Sequence, residues 1–144
     1  MSDPETISAD PLASLPGYVL RRAANAMMAE LANRLSAIDV RISDASVLLL
    51  SAGRSDMTSS DIGRMLDIQR ANMVPLVARL EDAGLVVRTP LDGKSHSLGL
   101  TPAGEAKLAE ARSVIGEFEG WLVSRIPAEH RDHFKPALDA LWRG

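Results

Sequence analysis

A mostly α-helical fold carrying one small β-hairpin is what this 144-residue sequence predicts. Three observations predict it. Apolar residues recur at three- and four-residue steps along most of the chain, the signature of amphipathic helices. A short β-branched run, Leu85-Val86-Val87-Arg88, is followed by a Pro- and Gly-containing loop and a second partly alternating run, the signature of a hairpin. Thr101-Pro102 then opens a further long helical period.

Residues 1–16 contain Asp3, Glu5, Asp10 and three prolines without an apolar period, and read as a flexible leader. In residues 17–37, Leu20, Ala24, Met27, Met28, Leu31 and Leu35 form one stripe, with Arg21, Arg22, Glu30 and Arg34 on other faces. That stripe is either core or the lining of a ligand cleft. Ser43 or Asp44 caps a shorter helix through residues 47–50, ended by Gly53. Thr58-Ser59-Ser60-Asp61 fits a capping box, in which Thr58 accepts from the third helical amide and Asp61 reaches back. The helix it starts runs to about Leu66, and a break at Asp67 precedes a second apolar period, Met73, Leu76, Val77 and Leu80, closed by Gly84. Pro75 falls inside this second helix, cannot donate to the Ala71 carbonyl, and predicts a kinked or loosened helix. The hairpin spans residues 85–100, with residues 89–94 as its projecting loop. From Thr101, a good N-cap followed by proline in the first turn, the helix reaches Ile126, about 37 Å at ~1.5 Å per residue. Leu108, Ala111, Ile115, Phe118 and Leu122 follow a heptad-like seam along it. Gly116 and Gly120, four apart in the same helix, point to close helix packing. Pro127 begins a last helix with Phe134, Leu138, Leu141 and Trp142.

Composition narrows the function classes. With 46% hydrophobic and 24% charged residues the chain is an ordinary globular protein of single-domain length. The absence of cysteine excludes disulfides, thiolate metal sites and thiol redox sensing. No stretch approaches the roughly 20 apolar residues of a membrane span, and the acidic start is unlike a secretory signal, so a cytoplasmic location is expected. No nucleophile elbow, Gly-rich phosphate loop or His-Glu-x-x-His motif appears, and catalysis is not expected. His130 and His133 lie three apart but have no nearby third ligand, and read as surface histidines.

Helix, break, helix and hairpin, in that order over residues 58–101, is the layout of a winged helix-turn-helix, whose second helix fits the ~12 Å wide major groove of DNA. Net charge argues mildly the other way, at −3 for the chain. Within residues 54–101 the six cations (Arg54, Arg64, Arg70, Arg79, Arg88, Lys94) balance six carboxylates (Asp56, Asp61, Asp67, Glu81, Asp82, Asp92), so binding depends on where the cations point. Arg70 at the start of the second helix and Lys94 at the wing tip are the best placed. Asn72 pairs an adenine edge or satisfies local backbone; Gln69 does the former or holds a phosphate. Arg88 at the hairpin base binds phosphate or pairs with a carboxylate. Asp92 orients the wing, since phosphate would repel it.

The same region resembles the MarR family. Asp61-Ile62-Gly63-Arg64-Met65-Leu66 is similar to its first motif helix, and Arg79-Leu80-Glu81-Asp82-Ala83-Gly84-Leu85-Val86-Val87-Arg88 to its exit from the recognition helix. Asp92-Gly93-Lys94 and Leu100-Thr101-Pro102-Ala103-Gly104 are similar to its wing and re-entry into the long helix. Family wings usually carry arginine where Lys94 stands, and lysine keeps the charge without the planar multidonor fork.

The resemblance implies a winged helix-turn-helix plus a helical dimerisation region: an N-terminal dimerisation helix at residues 17–42, the DNA-binding region at 43–101, and C-terminal dimerisation helices at 102–144. It implies a homodimer on a pseudo-palindromic double-stranded operator, with half-site centres ~34–36 Å apart. The first helix and the last two would bury the seam against the partner. It further implies a repressor released by a small, commonly aromatic effector, without a cofactor. The acidic balance and Pro75 motivate a rival expectation, a winged-helix protein-interaction module that has lost DNA binding.

Overall fold

The computed structural model describes residues 10–143, so the leader expectation for residues 1–9 falls outside the described residues. Residues 10–15 form a turn tied to the first helix. Asp10 accepts from the Leu12 N–H at 3.0 Å and pairs with Arg22 on the first helix, which stacks over Tyr18.

That helix, α1 (Pro16–Ser36), starts on its proline, where a missing N–H costs nothing. Only the end of its apolar stripe is buried: Leu35 is fully enclosed and Leu31 half-buried, whereas Leu20 and Met28 are exposed. The next helix, α2 (Ile42–Ser51), begins one residue before the expected caps. Arg41 is the N-cap residue, and Asp44, three on, accepts from the Arg41 N–H at 2.9 Å. Asp44 thus closes the first turn from inside the helix rather than capping it. The same carboxylate, nearly buried, pairs with Arg79 and ties α2 to the fourth helix.

The capping box forms as read, with Asp61 N–H to Thr58 Oγ1 at 3.1 Å and Thr58 N–H to Asp61 Oδ2 at 3.0 Å. It starts α3 (Ser59–Leu66), which Asp67 closes in the left-handed region at φ 55°. Aspartate tolerates that conformation better than most non-glycine residues. Helix α4 (Arg70–Asp82) follows and continues through Pro75 as one helical segment. A proline inside a helix costs about 3 kcal/mol relative to alanine. Here it stands on the exposed side, where its ring meets solvent, while Met73, Leu76, Val77 and Leu80 anchor the other side in the core. Gly84, at φ 75°, turns the chain out of α4.

The hairpin pairs β1 (Val86–Pro90) with β2 (His96–Leu100), antiparallel, Val86 opposite Leu100 and Pro90 opposite His96. Thr89 and Pro90 therefore belong to a strand, and the loop shrinks to residues 91–95, closed by Leu91 N–H to the Ser95 carbonyl at 2.9 Å. A strand-like contact absent from the sequence reading joins the hairpin to the helices: Leu98 N–H donates to the Met57 carbonyl at 2.8 Å, and Thr58 bridges Ser97.

Thr101 caps α5 (Pro102–Arg125) through its hydroxyl, which accepts from Gly104 N–H at 3.0 Å. The helix is pressed against the hairpin base there: a Cβ on Gly104 would lie 2.0 Å from the Leu85 carbonyl oxygen, so only glycine fits. A 3-10 turn (Ala128–His130) then precedes α6 (Arg131–Trp142), four residues later than expected from Pro127.

Two apolar clusters hold the fold. The larger joins α2, α3, α4, the hairpin and the start of α5 through residues such as Leu48, Ile62, Val77, Leu98 and Leu108. The smaller joins Leu35, Val40, Ala45 and Ala111. Most of the heptad-like seam is thereby consumed inside the chain: Leu108, Ala111 and Phe118 are buried and Ile115 packs against the smaller cluster. An added Cβ at Gly116 or Gly120 would meet nothing within 4 Å among the described residues beyond their own helix, so close packing between described elements does not account for them. No helix among the described residues is long and apolar enough to cross a membrane.

Candidate nucleic-acid interface

The capping box, the start of α4 and the wing converge on one groove of about 740 Å³. Its floor is Gly63, Ile68, Met73, Val77 and Leu98, part of the larger core; its rim is polar. From α3 come Ser59, Ser60, Asp61 and Arg64; from α4, Arg70 and Val74; from the hairpin, Arg88, Lys94, Ser95 and His96.

Of the residues expected from sequence, Arg70, Arg88 and Lys94 are brought together here. Gln69, Asn72 and Asp92 are exposed nearby but do not line the groove. Gln69 is the N-cap residue of α4 through its backbone, its carbonyl accepting from Asn72 and Met73 N–H at 2.9 and 3.1 Å. Asp92 shapes the wing turn through its carbonyl, which accepts from Ser95 N–H at 3.0 Å. Ser59, Ser60, Ser95 and His96 were missed. Ser59 and Ser60 carry only a helix-start signal, and Ser95 and His96 fall in the second hairpin run, whose outward side partial alternation leaves ambiguous.

The ion pairs sort the six cations of this region. Arg54 pairs with Asp56 at 3.7 Å, Arg64 with Asp61, Arg79 with Asp44, and Arg88 with Glu81 at 2.7 Å. For Arg88 the carboxylate alternative is the one realised. Among the described residues, Arg70 and Lys94 have no carboxylate partner, and both are exposed. Asp61 stays charged at the edge of the groove: hydrogen bonds from the Thr58 backbone and then its side chain, with the Arg64 and Arg54 guanidiniums, hold its carboxyl below the usual carboxylate range. A formally neutral region thus presents two unpaired cations on one rim; of its six carboxylates, Asp56, Asp61 and Glu81 are held in local pairs, while Asp67, Asp82 and Asp92 have no cation partner among the described residues.

Comparison with known proteins places this geometry. The MarR family model matches residues 38–95, from the end of α1 to the wing. The solved transcriptional repressor CouR bound to a 23-mer DNA duplex is 31% identical, covers 92% of this chain and 95% of its own, and superposes with a TM-score of 0.83. CouR bound to p-coumaroyl-CoA is 30% identical with a TM-score of 0.82, over 93% of this chain and 96% of its own. The HTH-type transcriptional repressor Rv2887 of Mycobacterium tuberculosis is 25% identical over 127 residues, 87% of this chain and 91% of the repressor. The order of elements, the groove and these similarities agree, and the chain belongs to the MarR family of transcriptional regulators.

Proposed function

We propose that this regulator binds a pseudo-palindromic double-stranded operator as a homodimer and represses from it until a small effector releases it. The observation that carries the DNA reading is the pairing pattern: four of six cations between residues 54 and 101 are neutralised locally, and the two left over, Arg70 and Lys94, share one groove between recognition helix and wing. Arg70 and Lys94 hold phosphates or groove edges, Asn72 and Gln69 approach the bases from the first turn of α4, Arg88 is a reserve cation held by Glu81, and Asp92 shapes the wing.

Residues 43–101 serve as the DNA-binding region between dimerisation segments 17–42 and 102–144. The dimer is supported by apolar side chains left open within one chain, including Leu20, Met28, Leu141 and Trp142, and by α6, which buries no residue of its own. CouR bound to p-coumaroyl-CoA supports an aromatic effector. No catalytic role is assigned, and the protein works in the cytoplasm, where its DNA is.

The test is charge reversal. Operator selected from random DNA should lose about tenfold in affinity with Arg70→Glu or Lys94→Glu, and the salt dependence should flatten by about one unit of log–log slope per phosphate contact removed. Unchanged affinity and slope in both variants would overturn the assignment.

A further inference from the structure

The outer face of α4 is unusual for a surface helix, whose side away from the core is ordinarily polar. Ala71, Val74, Pro75 and Ala78 fall at positions i, i+3, i+4 and i+7, one stripe of a helix, and all are exposed, Val74 by 59%. The core stripe Met73, Leu76, Val77 and Leu80 occupies the opposite side and is buried. Between Ala71 and Ala78 the helix carries a single polar residue, Asn72. It is therefore apolar on both faces over two turns, and nothing among the described residues covers the outer one.

The charges around the stripe identify what covers it. Arg70 precedes it on the same helix and Lys94 stands across the groove that Val74 also lines; both cations lack a carboxylate partner among the described residues. An apolar centre with unpaired cations beside it complements the DNA major groove. Phosphates line the rims, and the C5-methyl of thymine is the apolar group that base pairs present on the floor. Ala71 and Pro75 are about 6 Å apart along the helix axis, close to two base-pair steps of ~3.4 Å. A helix built to read purine edges would instead present several hydrogen-bonding side chains there.

We propose that α4 reads thymine methyl groups, with Val74 as the principal contact and Ala71 and Pro75 beside it, while Asn72 takes an adenine edge of the same A·T-rich step. This rests on the DNA-binding reading above and goes beyond it by naming the chemistry that the helix selects. Specificity then comes from methyl burial more than from hydrogen bonds, which tolerates the lysine-tipped wing.

The experiment starts from operator fragments selected from random DNA with the full-length protein. Each thymine of the selected half-site is replaced in turn by deoxyuridine, which deletes only the C5-methyl, in both half-sites at once. Binding is followed by fluorescence anisotropy for the wild type and for Val74→Ala, an exposed change that alanine's helix propensity favours. The expected result is at least one thymine whose demethylation weakens wild-type binding on the order of tenfold, about fourfold for each methyl-sized group. Val74→Ala should reduce that penalty to less than about twofold while leaving the effect of salt unchanged. An operator bound tightly but indifferent to every deoxyuridine, or an equal penalty in both proteins, would overturn the methyl reading and leave DNA binding intact. Failure to select any fragment would overturn both, and would assign the apolar stripe and its cations to an acidic protein surface.

Discussion

The winged half of this chain and its helical half handle apolar surface in opposite ways. Around α2, α3, α4 and the hairpin, Leu48, Ile62, Met73, Val77 and Leu98 are each no more than 2% exposed, and one cluster closes over them. Along α1 and α6 the balance reverses: Val19 and Leu20 are more than 40% exposed, and Leu141 and Trp142 about 70%. The winged half is a finished core that can hold a groove steady. The helical half is a core left open, the side that the proposed second copy would close. Between residues 54 and 101 the winged half also pairs four of its six cations with nearby carboxylates and leaves Arg70 and Lys94 for a ligand.

The largest effect should come from attacking the open half. Leu141→Glu with Trp142→Glu should raise the dimer dissociation constant by a hundredfold or more, on the order of 2 kcal/mol for each central apolar anchor, as read by sedimentation equilibrium. The winged half should keep its fold in the monomer. A protein that remains dimeric at the same concentrations would place the interface elsewhere.

The next effect sharpens the finished core. Leu48→Ala should cost about 3 kcal/mol as a cavity, and Gly104→Ala about the same, because the new Cβ meets the Leu85 carbonyl, which is backbone and cannot step aside. Denaturant titrations at high protein concentration, where the dimer is saturated, should show both losses. A Gly104→Ala protein as stable as the parent would mean that the hairpin base shifts freely against α5.

The smallest effect concerns the start of α3. Thr58→Ala should cost about 1 kcal/mol by removing the hydroxyl that accepts from Asp61 N–H. Its partner has a pH signature. The Asp61 carboxyl ionises more readily in the fold than in the unfolded chain, so its contribution is complete above the unfolded value of about 3.9 and is lost as pH falls through the lower folded one. Melting temperatures measured from pH 6 to pH 3 should therefore drop less steeply in Asp61→Asn than in the parent. Parallel curves would show that the carboxylate's partners are kept in the unfolded state.

Local chemistry was legible wherever a short-range rule operates alone. The Thr58–Asp61 box, the Gly84 turn, the Thr101-Pro102 helix start and the apolar stripe of α4 all appear where residue type and spacing put them. Readings failed where a distant group competed. Asp44 looked like a cap and is an internal residue shared between the Arg41 amide and Arg79, which is 35 positions away. Pro75 looked like a break in the pattern, and the helical segment runs on through it with Met73, Leu76, Val77 and Leu80 anchored in the core on the other side. The seam of α5 looked like a dimer contact, and most of it is spent within the chain, where Ala111 meets Leu35 of α1, Val40 of the connecting loop and Ala45 of α2, and Phe118 is buried as well.

The sequence by itself determined the order of elements, their caps and the identity of Arg70 and Lys94 as cations at a helix start and a loop tip, because these depend on neighbours within about four residues. Only the tertiary structure decided which charges are free. Whether a guanidinium is available for phosphate depends on carboxylates brought beside it from elsewhere in the fold: Glu81 reaches Arg88, Asp44 reaches Arg79, and no carboxylate among the described residues reaches Arg70 or Lys94. A net charge of zero over the winged region was the same number before and after folding; its arrangement into paired and unpaired sites is a property of distance, which one-dimensional spacing does not carry.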